Sequence, residues 1–203
     1  MRRFLFLLLP LLVLMVLIAV RQDRVTPSHA AAPVAVLRGT EVFPRGMHPA
    51  PAFALRDQTG VVVSPRTLRG QVVTITFLDS SCVQECPVAG RALAATQRLL
   101  GSRSPLHLVV ISVNPGHDTP QSARTFIREA GIPTPWLWLF GTHQRLAPVW
   151  AEYGIQVQPG RGDIVHTPAV YLLDRRGSIR VADAVPFSAG ELAGSVRALA
   201  EQK

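Results

Sequence analysis

Cysteine is scarce in this chain, with two in 203 residues, too few for the multi-bridge framework of a small secreted scaffold. Lysine is scarcer, because Lys203 is the single example among 21 basic residues. The arginines are scattered, with no long basic run and no aromatic interleaving, so the sequence carries no nucleic-acid surface and no nucleic-acid partner is expected. The formal charge of +8 then reads as a compositional preference for arginine, part of which suits proximity to anionic lipid. There is no internal repeat, which excludes a stacked repeat architecture. Hydrophobic residues make up 48% of the chain and charged residues 17%, a globular composition whose apolar share is raised by the first twenty positions. The length suits one domain with a substantial core plus an N-terminal appendage.

Residues 4–20 form an unbroken apolar stretch that includes Pro10, preceded by Arg2 and Arg3 and followed by Arg21, Asp23 and Arg24. It is a membrane segment at the short end of the spanning range of about 17–25 residues, where a cleaved signal competes with a retained anchor. The small-x-small site Ser28-His29-Ala30 lies well past the apolar run, and Pro33 after Ala30-Ala31-Ala32 disfavours cutting, so the anchor is preferred. The leading flank is the more positive, which keeps the N-terminus cytoplasmic and puts the domain on the extracytoplasmic side, periplasmic or cell-surface. Residues 1–24 are therefore expected to be an anchor or signal segment, 25–51 an Ala- and Pro-rich linker, and 52–203 the folded domain.

Order is expected to begin near Phe53. Phe53-Ala54-Leu55 and Val61-Val62-Val63 flank the turn cluster Asp57-Gln58-Thr59-Gly60, which predicts a small hairpin. Val72-Val73-Thr74-Ile75-Thr76-Phe77-Leu78 is apolar or β-branched throughout, the pattern of a central strand buried on both faces. Pro87 suits a first helical turn, and Val88, Ala92, Leu93, Thr96, Leu99 and Leu100 predict the buried stripe of a helix ending at Gly101. A second buried strand over 106–113 ends at Asn114-Pro115-Gly116, and Thr119-Pro120 opens a helix carrying Ala123, Phe126 and Ile127. Strand, helix, strand, helix implies parallel pairing. Residues 136–140 predict a short strand, 144–153 a helix interrupted at Pro148, and 169–173 with 179–182 a hairpin around Asp174-Arg175-Arg176-Gly177. Ser188 caps a last helix lined by Leu192, Val196 and Leu199.

The two cysteines sit four apart in Asp79-Ser80-Ser81-Cys82-Val83-Gln84-Glu85-Cys86-Pro87, between the first core strand and its helix. A thiol at a helix start feels the positive end of the backbone dipole, which predicts a stabilised thiolate and a lowered pKa. Spacing of four puts both sulfurs on one face if the turn has formed, close enough for one metal or one disulfide. A structural bridge over so short a loop would stabilise weakly, and an inert buried pair is the bland alternative. Glu85, between the cysteines, is expected to face solvent. Asp118 and Asp163 read as turn and loop formers near the site, and Trp136, Trp138 and Trp150 as core.

This order of elements, with a cysteine pair after the first core strand, is the arrangement of thioredoxin-like domains: an α/β three-layer sandwich with a central mixed sheet and an N-terminal hairpin, here preceded by one membrane segment. Cys82-x-x-x-Cys86-Pro87 after Thr76-Phe77 resembles the signature of the Sco (SenC) family, membrane-anchored proteins implicated in copper-site assembly of cytochrome c oxidase. Ile164-Val165-His166-Thr167-Pro168-Ala169-Val170-Tyr171-Leu172 resembles that family's histidine segment, and Phe53-x-Leu55-x-Asp57-x-x-Gly60 and Leu68-Arg69-Gly70 extend the likeness. The resemblance implies copper held by Cys82, Cys86 and His166. Two thiolates and an imidazole are a soft donor set suited to Cu(I). Three protein ligands leave a side open for a partner, and a disulfide would remove two of the three. Where the family commonly has an aromatic before the first cysteine, Pro after it and an acidic residue before the histidine, this chain has Asp79, Val83 and Val165.

The reading that follows is a membrane-anchored copper metallochaperone without turnover of its own, with a respiratory oxidase copper subunit, or another copper or thiol protein, as partner. A second reading, from another class, is an extracytoplasmic thiol-disulfide oxidoreductase in which Cys82 attacks, Cys86 resolves, and His166 and Pro168 shape the groove. Pro168 carries that alternative, because a cis-proline opens the corresponding strand in thioredoxin-like reductases, and the sequence leaves its isomer open. A degenerate thioredoxin-like binding module is the third.

Overall fold

The computed structural model describes residues 36–101, 106–133, 135–159 and 164–202. The expected membrane segment lies outside the described residues, and no helix among them is long and apolar enough to cross a membrane.

Ten strands are described: β1 (Glu41–Val42), β2 (Leu55–Arg56), β3 (Val62–Val63), β4 (Val72–Leu78), β5 (Leu106–Ser112), β6 (Trp136–Leu139), β7 (Val157–Pro159), β8 (Ile164–His166), β9 (Ala169–Leu173) and β10 (Ile179–Ala184). The helices are α1 (Glu85–Leu100), α2 (Pro120–Ala130), α3 (His143–Glu152) and α4 (Ala189–Glu201). A six-stranded sheet has the order β1-β10-β9-β4-β5-β6. β4 pairs parallel with β5 and β5 parallel with β6, whereas β9 joins β4 antiparallel. The sheet is therefore mixed, with a parallel centre and an antiparallel side, as the element order predicts.

All seven residues of β4 are buried, because both faces are covered. Val73, Ile75 and Phe77 point into one apolar cluster with the β2–β3 hairpin and Leu146, Val149 and Trp150 of α3. Val72 and Leu78 point into the other, where α1, α2 and α4 contribute Leu93, Phe126 and Leu192. This is the expected three-layer sandwich. The hairpin also closes the outer edge: the Gln58 side chain donates to the Trp136 carbonyl and accepts from the Trp138 amide at 3.1 and 3.0 Å, occupying bonds that an unpaired edge strand would offer to another chain.

Three expectations are corrected, and one element is new. The segment read as a linker up to residue 51 is, from residue 36 on, laid against the domain: β1 pairs with β10, the Phe43 amide donates to the Arg180 carbonyl, and the Ala50 amide to that of Gly177. Its Ala and Pro content hid a strap held by backbone bonds rather than by apolar periodicity. The buried face of α1 is Cys86, Ala89, Gly90, Leu93, Ala94, Thr96 and Gln97, while Val88 and Leu99 are exposed, because small residues let the helix approach its neighbours closely. Pro148 lies inside α3 without interrupting it. The β7–β8 ladder, in which Val157 faces His166, has no counterpart in the sequence reading.

Candidate metal centre

The site forms where β4 ends. At that point the chain must turn from the sheet into α1, and Asp79-Ser80-Ser81 make the turn, with the Cys82 amide donating back to the Asp79 carbonyl. Cys82 precedes the helix rather than lying on it, and Cys86 is its second residue. The two sulfurs therefore do not share a helical face. The Cys86 amide, one of the unpaired donors of the first turn, instead points at the Cys82 sulfur at 3.5 Å. Both cysteines are unbridged; Cys86 is buried and Cys82 partly so.

His166 arrives from β8, eighty positions away. Its Nε2 lies 3.6 Å from Cys86 Sγ, and its Nδ1 lies 3.1 Å from the Thr167 carbonyl oxygen. A carbonyl can only accept, so Nδ1 is the donor there, which leaves Nε2 as the ring atom that would ligate a metal beside the sulfur. A sulfur and a nitrogen bound to one metal at about 2.3 and 2.0 Å, with an angle between tetrahedral and trigonal, are about 3.5–3.7 Å apart. The observed separation fits that span, and the donors are of the soft class. The structure thus brings Cys86 and His166 together and leaves Cys82 beside them with its sulfur on the Cys86 amide. Among the described residues no three His, Cys, Asp or Glu side chains form a ready-made cluster.

Burial pushes the Cys86 thiol well above its ordinary range; the Asp79 amide opposes this, and the Cys82 and Asp79 charges add to it. The lowered pKa expected from the helix start is overturned for this residue, because desolvation outweighs the dipole. Phe77, Leu78, Ala89, Pro168 and Val185 wall the cleft in apolar atoms, leaving no room for a water molecule. The one cis peptide among the described residues is Val185–Pro186; Thr167–Pro168 is trans, so Pro168 does not reproduce the reductase arrangement.

Glu85 is exposed, as expected. Of the other histidines, His48 packs on Phe43 and His143 on Trp150, and His107 lines a groove of about 380 Å³ with Asp57, Leu68 and Trp136 at the opposite ends of the strands. Asp118 is buried and holds Ser80 and Ser112; burial pushes its carboxyl up, against the hydroxyl and amide bonds it accepts. Asp163 lies outside the described residues. Sequence reasoning missed the second carboxylate. Asp79 stood out only as a departure from a pattern, and its partner Asn114 follows a different strand.

The family model described as SCO1/SenC matches residues 45–201. A protein of Stutzerimonas stutzeri described as a "Putative copper-binding protein" is 29% identical over 142 residues, covering 64% of this chain and 66% of that protein, just under two thirds of its length. The structure of Bradyrhizobium japonicum ScoI with copper bound is 25% identical with a TM-score of 0.65, covering 74% of this chain and 99% of that one. BsSco, described with a disulfide switch and as a member of the Sco family of cytochrome c oxidase assembly proteins, is 18% identical with a TM-score of 0.68 over 80% and 99%.

Proposed function

The chain belongs to the SCO1/SenC family, and from that premise we propose that it binds copper as cargo through Cys82, Cys86 and His166 and delivers it to the copper site of a respiratory oxidase. The observation that carries this reading is the contact of Cys86 Sγ with His166 Nε2 at 3.6 Å, with Nδ1 turned away to the Thr167 carbonyl. Cys82 completes the set by turning its sulfur from the Cys86 amide. Two sulfurs and one nitrogen hold a soft monovalent ion and leave one side open, through which a recipient's thiols or imidazoles replace these ligands one at a time. Oxidation of the pair to a disulfide removes two ligands, so loading and oxidation exclude each other. In this reading residues 4–20 anchor the protein and the domain works outside the cytoplasm.

The test is a titration of the reduced full-length protein with Cu(I) against a competing chelator, repeated with His166→Ala. One equivalent is expected to bind, and the substitution to weaken it by at least about tenfold. An unchanged affinity in the variant would remove His166 from the ligand set and with it the main support for the reading.

A further inference from the structure

We propose that Asp79 is the positioning residue of the cysteine pair, clamping the turn between β4 and α1 so that the two sulfurs are presented together. The proposal deepens the copper reading and rests on it only for the copper half of its test.

Asp79 directly follows β4 and is fully buried. A carboxylate there is costly unless donors surround it, and three do. Oδ1 accepts from the Ser81 amide at 2.8 Å and the Ser81 hydroxyl at 2.6 Å, and Oδ2 accepts from Asn114 Nδ2 at 2.9 Å. Asn114 also reaches the Ser81 hydroxyl, at 3.4 Å. The main chain of Asp79 acts on the site directly, its amide lying 3.5 Å from Cys86 Sγ. One residue along, Asp118 holds the Ser80 amide at 2.8 Å and the Ser80 and Ser112 hydroxyls. Both residues that lead into Cys82 are therefore tied, amide and hydroxyl, to a buried carboxylate.

The consequence is mechanical. Cys82 has no helical bonds of its own, being outside α1, and its sulfur sits on the Cys86 amide only while the turn keeps its shape. Rotating the turn breaks the Ser81 bonds and the Asp79 amide contact with Cys86 in one movement, which separates the sulfurs. A clamp of this kind raises the effective concentration of each sulfur at the other, whether a metal or a covalent bond joins them.

Asp79→Asn separates position from charge. Its amide oxygen still accepts from Ser81, and its nitrogen donates to Asn114 once that amide turns over. Asp79→Ala removes the clamp altogether. Two readouts on the full-length protein are needed: Cu(I) affinity against a chelator, and the equilibrium with oxidised glutathione, in which the dithiol becomes a disulfide and two reduced glutathiones are released. Asp79→Ala is expected to lower both constants by at least about tenfold and Asp79→Asn to leave both within about twofold of wild type. If Asp79→Ala does not fold, Asn114→Ala takes its place with a loss of about fivefold in each, because Ser81 remains held, and is compared with the Asp79→Asn variant expected within about twofold. Asp79→Asn behaving like Asp79→Ala, or either alanine variant matching wild type in glutathione, overturns the clamp. If wild type takes up no Cu(I) while the glutathione series behaves as stated, the copper reading falls and the clamp stands.

Discussion

A thiol on the second residue of a helix meets two opposed influences, and Cys86 shows which is the larger. The first-turn dipole favours a thiolate by about 0.3–1 kcal/mol at an exposed site, whereas near-complete burial among apolar side chains penalises it by more. The thiol is pushed up and stays protonated at neutral pH. A metal must then displace that proton, so the apparent affinity rises by about tenfold per pH unit for each thiol still protonated. We expect the Cu(I) affinity of the reduced protein, corrected for the chelator, to keep climbing past the ordinary thiol range near pH 8.5. Cys86→Ser should flatten the slope by one proton. A plateau at pH 8.5 in wild type would show that the dipole, not burial, governs this residue.

Helix α1 presents the same competition one level up, between what a helix prefers and what its neighbour allows. Gly90 costs about 1 kcal/mol of helix propensity relative to alanine, yet a Cβ there would lie 2.9 Å from Ala130 Cβ and 3.1 Å from the Phe126 ring. Overpacking of that kind costs about 1–3 kcal/mol, so Gly90→Ala is expected to lower the melting temperature by a few degrees. Adding Ala130→Gly should recover part of the loss, and a Gly90→Ala variant more stable than wild type would show that α1 and α2 separate easily. The close approach also explains what the sequence concealed. β4 and β5 were legible because every position of β4, and all of β5 but His107 and Ser112, is apolar or β-branched, so their burial needs no phase. α1 was legible as a helix but not in its rotation, since its contact face is built from Ala89, Gly90 and Ala94 while Val88 and Leu99 point outward. At the site, the cysteines and His166 stood out by residue type and spacing. Asp79 did not, because its role depends on where Asn114 arrives from another strand.

For the whole molecule, the strap over residues 36–51 changes how much of the chain counts as the domain. Its bonds reach α4 and the start of β10: the Arg38 amide donates to Ser195 Oγ on α4 at 2.9 Å, Arg180 Nε donates to the Phe43 carbonyl at 3.1 Å, and the Ile179 amide donates to the His48 carbonyl at 2.7 Å. Arg180 is itself buried and paired with Asp174 at 3.5 Å, so removing the strap takes an acceptor from a buried cation as well as a strand from the sheet edge. With residues 4–20 in a membrane, as proposed, the tether is then the fifteen residues 21–35, which span at most about 50 Å, half of what a linker running to residue 51 would allow. A fragment beginning at residue 52 should accordingly be less stable than one beginning at residue 36, by about 3 kcal/mol or more if each lost backbone bond is worth about 1 kcal/mol. Urea unfolding of the two fragments checks this directly through their midpoints. Equal midpoints would mean that the strap rests on the domain without contributing to it, and that the folded unit starts where the sequence pattern alone puts it.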